Sequence, residues 1–149
     1  MLELVEVRIE GLPVDVYQRA AEHNDELMRE FALVRGEGGT DSASVPARLL
    51  ALVDEMRERF AGFTAQAGTD LDEAVARGDT TLDLLYLVPP AAGRGAADLD
   101  HLLDEADRFC QAGDLLTLTA PPDVVAFRRW FLREFASQAA GRPPVPWPG

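Results

Sequence analysis

Apolar and polar side chains alternate along residues 3–10. Val5, Val7 and Ile9 fall on one side of an extended chain, and Glu6 and Arg8 fall on the other. Successive side chains of a β-strand point to opposite faces, so this pattern predicts a strand with one exposed face. The proline at position 13 suits the start of a helix, where its missing N–H needs no partner.

Helical periodicity appears in five places. The first helix, over about 14–34, has an apolar stripe opposite an acidic side. The second begins at Ser44, a typical N-terminal cap, and Gly68 separates it from a short helix over 69–78. Two further amphipathic helices follow in the C-terminal half, one of them after a glycine-rich connector.

Two phrases in the second half share one pattern. "DLLYLVPP" and "DLLTLTAPP" each place an apolar run between an acidic residue and two prolines. Leu82–Val88 is apolar at almost every position, which predicts a strand covered on both faces, and Leu115–Ala120 repeats it. Proline has no N–H for a sheet ladder and holds the preceding residue extended, so each strand ends there and a helix begins.

The sequence therefore predicts an α/β fold. Three strand–proline–helix units, in the order β-α-α-β-α-β-α, suit parallel neighbours because the connections are long enough for crossovers. We expect a small, mainly parallel three-stranded sheet with about four to five helices, the second strand central and the first at an edge. A single globular domain over 1–141 and a proline-rich tail over 142–149 complete the expected organisation.

Composition bounds the class of protein. The 149 residues are 47% apolar, which suffices for one core and excludes a disordered chain. The net charge of −12, from 26 acids against 14 bases, opposes binding to nucleic acids and anionic membranes, because both require a cationic surface. The sequence shows neither a spanning apolar run nor a signal peptide, so we expect a cytoplasmic protein.

Two features of the composition limit the chemistry. All 14 bases are arginine, so the sequence lacks an amine for Schiff-base catalysis and the lysine of a P-loop. Cys110 is the only cysteine, which excludes an intrachain disulfide and a multi-thiolate metal site. We predict no catalytic residues, no cofactor and no metal site, and we favour a non-enzymatic role.

Asn24 is the most informative polar residue of the first helix. It lies near the middle of the predicted apolar stripe, with His23 at the margin. A buried amide without a partner costs about 1–3 kcal/mol, so Asn24 must bond to a neighbouring group. A backbone partner within the core is the commoner arrangement. A contact of Asn24 and His23 with a ligand or partner protein is the functional alternative, and catalysis is a third.

Gly93, Arg94 and Gly95 occupy the predicted connector between the second strand and the next helix. A glycine-rich turn in that position can hold an anion on its backbone N–H groups, and Arg94 would assist. A mobile connector is the simpler interpretation, because Asp98 replaces the third glycine of the dinucleotide-binding pattern.

The last helix carries a cluster of basic and aromatic residues. Arg128, Arg129 and Arg133 flank Trp130, a composition typical of binding hot spots. In an acidic protein this strip can receive an acidic partner or pair with the protein's own acidic segment at 98–107. Salt bridges within the fold and packing of the indole account for the same residues without a partner.

Two stretches resemble a known family. "GLPVDVYQRAAEHNDELMREFALV" and "DEADRFCQAGDLLTLTAPPDVVAFRRWFLREFASQ" are similar to small uncharacterised actinobacterial proteins. Members of that family accompany anti-sigma-factor kinases and STAS-domain antagonists in partner-switching stress signalling. The resemblance covers most of the chain except 36–44 and the tail, and it implies a regulatory or accessory role. It carries no catalytic motif and transfers no site residue.

Two functions remain in view. The favoured one is a non-enzymatic regulatory or protein-interaction module of bacterial stress or sigma-factor signalling, with an anti-sigma kinase or a STAS-domain protein as partner. It predicts an exposed apolar or Trp/Arg patch. The alternative is a small-molecule sensor with a cleft at the C-terminal ends of the strands. A homodimer through an edge strand is compatible with both.

Overall fold

The computed structural model describes residues 3–38, 44–113 and 119–149. Within these residues the chain forms two strands and four helices, and the helices predominate. The elements follow one another as β1 (Val5–Pro13), α1 (Val14–Gly38), α2 (Val45–Arg77), β2 (Thr81–Val88), α3 (Ala91–Ala112) and α4 (Pro122–Ala139).

The two strands pair antiparallel, so the prediction of a mainly parallel, three-stranded sheet is wrong. The ladder runs from Val5 opposite Val88 to Pro13 opposite Thr81. Of the predicted third strand, residues 115–118 lie outside the described part of the chain, and Thr119 and Ala120 belong to no strand. The observed order is β-α-α-β-α-α.

The connection between the strands explains their direction. The N–H of Val14, at the start of α1, donates to the carbonyl of Thr80, just before β2, over 3.1 Å. The start of α1 also meets the end of α2 at Tyr17, where burial first and the Asp72 carboxylate second raise the pKa of the phenol. The α1–α2 pair therefore leaves the sheet and returns to it at one end. A single crossover helix brings in a parallel strand, whereas two helices running out and back bring in an antiparallel one.

Helix α2 is continuous, where the sequence predicted two helices. Its N-terminal cap is confirmed, since the Ser44 Oγ accepts the N–H of Ala47 at 3.3 Å. Gly78 ends the helix as predicted, with φ of 75°. Gly68 lies inside it without a break, because a mid-helix glycine costs only about 1 kcal/mol and the buried Leu71 beyond it holds the helix in the core.

The core lies between the inner face of the sheet and the helices. Six sheet residues on this face are buried, namely Val7, Ile9, Leu12, Leu84, Tyr86 and Val88. The alternation predicted for β1 is thereby confirmed. Aromatic rings of α4 continue the core, with Tyr86 4.9 Å from Phe135 and 6.3 Å from Phe131 between ring centroids. Each such buried side chain stabilises the fold by about 1.5–3 kcal/mol.

The proline-rich tail lies against α4 and β1. The N–H of Trp147 donates to the carbonyl of Glu10 at 3.0 Å, and the Trp130 indole N–H donates to the carbonyl of Val145 at 2.9 Å. The two indole rings meet edge to face, 5.3 Å apart between centroids. The tail forms neither helix nor strand, as its prolines predict, yet its indole packs against the body of the protein.

Gly93 marks a close approach between α3 and α4. A Cβ added there would lie 2.6 Å from the Cβ of Ala139 and 3.3 Å from the carbonyl oxygen of Phe135. We expect Gly93→Ala to destabilise the protein by about 1–3 kcal/mol, because one helix must move away from the other to admit the methyl group. Urea unfolding followed by circular dichroism measures the change.

Gly68→Ala is the matched control. Nothing lies within 4 Å of a Cβ added at this position inside α2. This variant should be more stable than the parent by about 0.5–1 kcal/mol, because alanine is the better helix former. An equal gain from Gly93→Ala would show that α3 and α4 do not approach each other in this way.

Candidate functional site

Three large apolar side chains are exposed at the outer face of the sheet. Leu85 and Leu87 are each 49% exposed, and Leu4 is 42% exposed. The prediction that β2 is covered on both faces is therefore wrong, since its buried and exposed residues alternate. Asp83, Leu85 and Leu87 are spaced two residues apart and therefore point to the same face of β2. The charged Asp83 is the feature of the sequence that indicates this face is exposed.

The protein itself closes the outer edge of β1. The side-chain amide of Gln138, on α4, accepts the N–H of Arg8 and donates to the carbonyl of Arg8, both at 2.8 Å. It thus replaces a neighbouring strand at this position. Trp147 covers the next carbonyl along the same edge, that of Glu10. Gln138 is held in place by a 3.0 Å hydrogen bond to the buried Glu134, which also accepts a backbone N–H of the tail.

The outer edge of β2 lacks such a closure. In an antiparallel ladder, two residues that lie opposite each other either both direct their N–H and carbonyl groups towards each other or both direct them away. Arg8 directs its groups away from β2, to Gln138, so Leu85 opposite it directs its groups away from β1. The same alternation applies to Leu87, opposite Glu6. No residue of the described part of the chain hydrogen-bonds to the backbone N–H or carbonyl of Leu85 or Leu87 at this edge. Among the described residues, one edge of the sheet is therefore unpaired beside two exposed leucines.

Acidic residues predominate around these leucines. Glu6 forms a 3.0 Å ion pair with Arg8 on the outer face. Asp83 accepts the N–H of Gly11 at 2.7 Å, where β1 becomes irregular and Gly11 adopts a φ of 70°. Glu10 follows two residues after Arg8, where the pairing of β1 with β2 becomes irregular. The face therefore combines apolar surface with negative charge.

Two of the arginines predicted for partner binding meet the protein's own acidic helix. Arg128 is 5% exposed, and its guanidinium lies 2.9 Å from the carboxylate of Asp104 and 3.6 Å from that of Asp107. Arg129 pairs with Asp104 at 3.0 Å. Burial alone would raise the pKa of Asp104, but the hydrogen bonds from Arg128 and Arg129 outweigh it and the pKa is lowered. This ionic cluster fastens α3 to α4.

Trp130 and Arg133, the other predicted contacts on α4, differ in their surroundings. Trp130 is 8% exposed and holds the tail through its indole N–H. Arg133 is exposed, and together with Arg129 it lines an open groove of about 740 Å³ beside the tail. Arg128 and Trp130 thus serve the fold, and a partner contact at Arg129 and Arg133 stays a prediction.

Asp100 lies one turn before Asp104 on α3 and has the opposite environment. One of its carboxylate oxygens is buried without a hydrogen bond from the residues the structure describes. Burial, and then the charge of Asp104, raise the pKa of Asp100, although the arginines of α4 act in the other direction. Two carboxylates on one helix therefore affect stability with opposite signs.

The two histidines lie on different helices. His23 is half-buried on α1 beside Asn24, which is also half-buried, whereas His101 is exposed on α3. Across the described ranges, no group of three His, Cys, Asp or Glu side chains could hold a metal ion. Cys110 is fully buried, as its spacing predicts, and burial raises the pKa of its thiol. A ligand or partner contact at His23 and Asn24 stays a prediction.

The predicted glycine-rich connector is wrong, because α3 begins at Ala91, directly after the proline pair. Gly93, Arg94 and Gly95 lie in the first turns of this helix. Gly93 packs against α4, and Gly95 packs against Met56 of α2. A cleft of about 470 Å³ opens here between α2 and α3, beside the exposed Arg94.

A second cavity, of about 240 Å³, lies beneath the sheet where β2 and three helices meet. Its walls include Met56 and Phe60 of α2, Ala92 and Ala96 of α3, and Tyr86 of β2. Its lining is almost wholly apolar, and the cavity is partly open to the surface.

The contrast between Asp104 and Asp100 is testable. At pH 7, Asp104→Asn should destabilise the protein by about 1–3 kcal/mol because two arginines lose a charged acceptor. Asp100→Asn should stabilise it, because a neutral amide replaces a partly buried charge. A carboxyl group whose pKa is lowered on folding stabilises the folded protein at pH values above its unfolded-state pKa. A carboxyl group whose pKa is raised on folding stabilises the folded protein at pH values below its unfolded-state pKa. The Asp104 effect should therefore fade as the pH falls below about 4, whereas the Asp100 effect should fade earlier, as the pH falls towards about 4 through the raised folded-state pKa of Asp100. Urea unfolding between pH 3 and 7 measures them.

Glu55→Gln is the control for this pair. Glu55 lies 3.5 Å from Arg59 in an exposed pair on α2, so its loss should change the free energy of unfolding by less than about 0.5 kcal/mol. Changes of the same sign in Asp104→Asn and Asp100→Asn at neutral pH would contradict the environments described for these two carboxylates.

No protein-family model matches this chain, and neither a curated protein nor a solved structure shows significant similarity to it. Each helix in the described part of the chain is too short or too polar to cross a lipid bilayer. Kinship with the actinobacterial regulatory proteins stays a prediction from the two stretches of sequence that carry the resemblance.

Proposed function

We propose that the protein is a protein-interaction module that binds an extended segment of a partner along the outer edge of β2. The edge of β2 carries this proposal: Leu85 and Leu87 direct outward backbone groups that no described residue pairs with, and they expose half of their side chains. A partner strand placed there would satisfy these groups and cover the leucines in one step.

The asymmetry of the sheet supports this choice of edge. Unpaired strand edges invite association, and proteins usually cover or blunt them. Here the edge of β1 is covered by Gln138 and Trp147. The edge of β2 has no proline inside the strand, and apolar residues occupy two of its exposed positions, Leu85 and Leu87. The protein covers the edge of β1 but leaves apolar residues exposed along the edge of β2, and this difference favours a docking role for the edge of β2.

The charge of the surface indicates the chemistry of the partner. Glu6 lies opposite Leu87, Asp83 shares the exposed side of β2 with both leucines, and the chain as a whole carries −12. A partner segment with alternating apolar and basic residues would complement both features, and long-range attraction would speed its association. A second copy of this chain would bring its own −12 charge to the interface, so we propose a different protein as the partner.

A regulatory role in bacterial stress or sigma-factor signalling is part of this proposal. It rests on the resemblance to the actinobacterial family, whose members accompany anti-sigma-factor kinases and STAS-domain proteins. We propose such a protein as the natural partner and the cytoplasm as the place of action. The docking edge itself is argued from the sheet and stands without this identification.

Binding of a designed peptide tests the edge. An eight-residue peptide of alternating leucine and arginine should slow hydrogen exchange at the amides of Leu85 and Leu87, because both become bonded to the added strand. Leu85→Lys and Leu85→Pro should weaken binding by about tenfold or more, the first by charge repulsion and the second by removing the donor. Fluorescence anisotropy of the labelled peptide measures the affinity.

Leu33→Lys is the matched control, because Leu33 is an exposed leucine that belongs to α1 and not to the sheet. It should bind the peptide like the parent, and a peptide of scrambled order should bind more weakly to all variants. Equal binding by the parent and Leu85→Pro would rule out strand addition. Sedimentation of the protein alone tests whether a second copy occupies this edge. A dimer that dissociates in Leu85→Lys would show that the edge binds a second copy of the chain instead of a different protein.

A further inference from the structure

Helix α3 presents very small side chains to α2, and this leaves space between them. A Cβ added at Gly95 would lie 3.4 Å from the methyl carbon of Met56 and 3.7 Å from the ring of Phe60. Ala92 and Ala96, on the same helix, line the cavity of about 240 Å³ together with those two side chains. The long side chains of α2 therefore contact α3 at its glycine but leave the space beside the two alanines unfilled.

The walls of the cavity exclude charged ligands. None of the described residues that line it is charged, and its polar groups are the hydroxyls of Thr64 and Tyr86. Tyr86 is 6% exposed, and its burial raises the pKa of the phenol, so this hydroxyl stays neutral. A charged group placed here would lose its hydration without gaining a counterion.

The mouth of the cavity lies at the surface between α2 and α3. Met56, Thr64 and Leu99 are half-buried lining residues, and all three also line a shallow surface groove of about 270 Å³. Methionine is flexible because it is unbranched and has three rotatable bonds. Rotation of the Met56 side chain therefore gives a small molecule a path from the groove into the cavity.

We propose that this cavity binds a compact, uncharged and largely apolar small molecule, about the size of one substituted aromatic ring. Apolar cavities of about 150 Å³ in protein cores stay dry and bind benzene, so about 240 Å³ admits a larger molecule. The ligand would contact Tyr86 and Val88 on the inner face of β2. Leu85 and Leu87 lie on the other face, so the site is distinct from the proposed docking edge.

Titration with isopropylbenzene tests this site on protein labelled with ¹³C at the methionine methyl groups. The Met56 resonance should shift and saturate, whereas that of Met28, on α1 and outside the cavity lining, should stay in place. Benzoate, of similar size but charged, should produce no saturable shift of Met56. The melting temperature should rise with isopropylbenzene, because a ligand that binds only the folded state stabilises it.

A variant whose larger side chain fills the cavity tests whether the ligand binds there. Ala96→Leu should weaken isopropylbenzene binding by about tenfold or more, because the larger side chain occupies the ligand's space. Ala112→Leu, at an exposed position of the same helix, is the control and should bind like the parent. Should Ala96→Leu fail to fold by circular dichroism, Ala92→Val introduces a smaller group into the same cavity and replaces it.

The outcomes separate this site from its neighbours. Isopropylbenzene that leaves Met56 unshifted, or that binds folded Ala96→Leu as tightly as the parent, would overturn the proposal. Benzoate that binds as well as isopropylbenzene would also overturn it and would point to the cleft beside Arg94. Leu85→Lys should retain isopropylbenzene binding, so a failure of peptide docking at the sheet edge leaves this result unaffected.

Discussion

The hydrogen bond from the N–H of Val14 to the carbonyl of Thr80 marks the constraint on which the fold depends. The chain leaves the sheet after β1 and returns before β2 at the same place, so α1 and α2 together act as a long insertion in a β-hairpin. Antiparallel pairing follows from this return, and the buried side chains of the sheet face the helical core on one side. The other face has nothing in the described chain to cover it.

The described part of the chain forms a two-stranded sheet, and the two outer edges of this sheet differ. Gln138 imitates a neighbouring strand for Arg8, and its own position depends on the buried Glu134, which also holds the tail. One small polar network thus joins β1, α4 and the C-terminal residues. The opposite edge, at Leu85 and Leu87, offers the same backbone groups, and no residue in the described ranges pairs with them. The proposed docking site therefore lies along the strand edge that the described residues leave unpaired.

The helical layer shows a similar contrast between closely and loosely packed contacts. At Gly93 the backbones of α3 and α4 approach closely, and Arg128 and Arg129 bind the Asp104 carboxylate across the same pair of helices. Between α2 and α3, small residues face Met56, and cavities remain. The rigid α3–α4 contact holds the wall of the cavity in place, while the flexible Met56 side chain gives access to it.

The sequence by itself determined the local structure. The alternation of β1, the Ser44 cap, the helix end at Gly78 and the burial of Cys110 each depend on neighbouring residues, so periodicity and capping rules predict them. Tertiary structure alone decided strand direction, the exposure of Leu85 and the pairing of α4 arginines with α3 acids. An apolar run in the sequence does not show whether one face of a strand or both faces are covered. The length of the connection between two strands does not show whether they pair parallel or antiparallel, because two helices span as many residues as a crossover. Only the point at which the chain returns distinguishes these cases, because it fixes which distant segments meet.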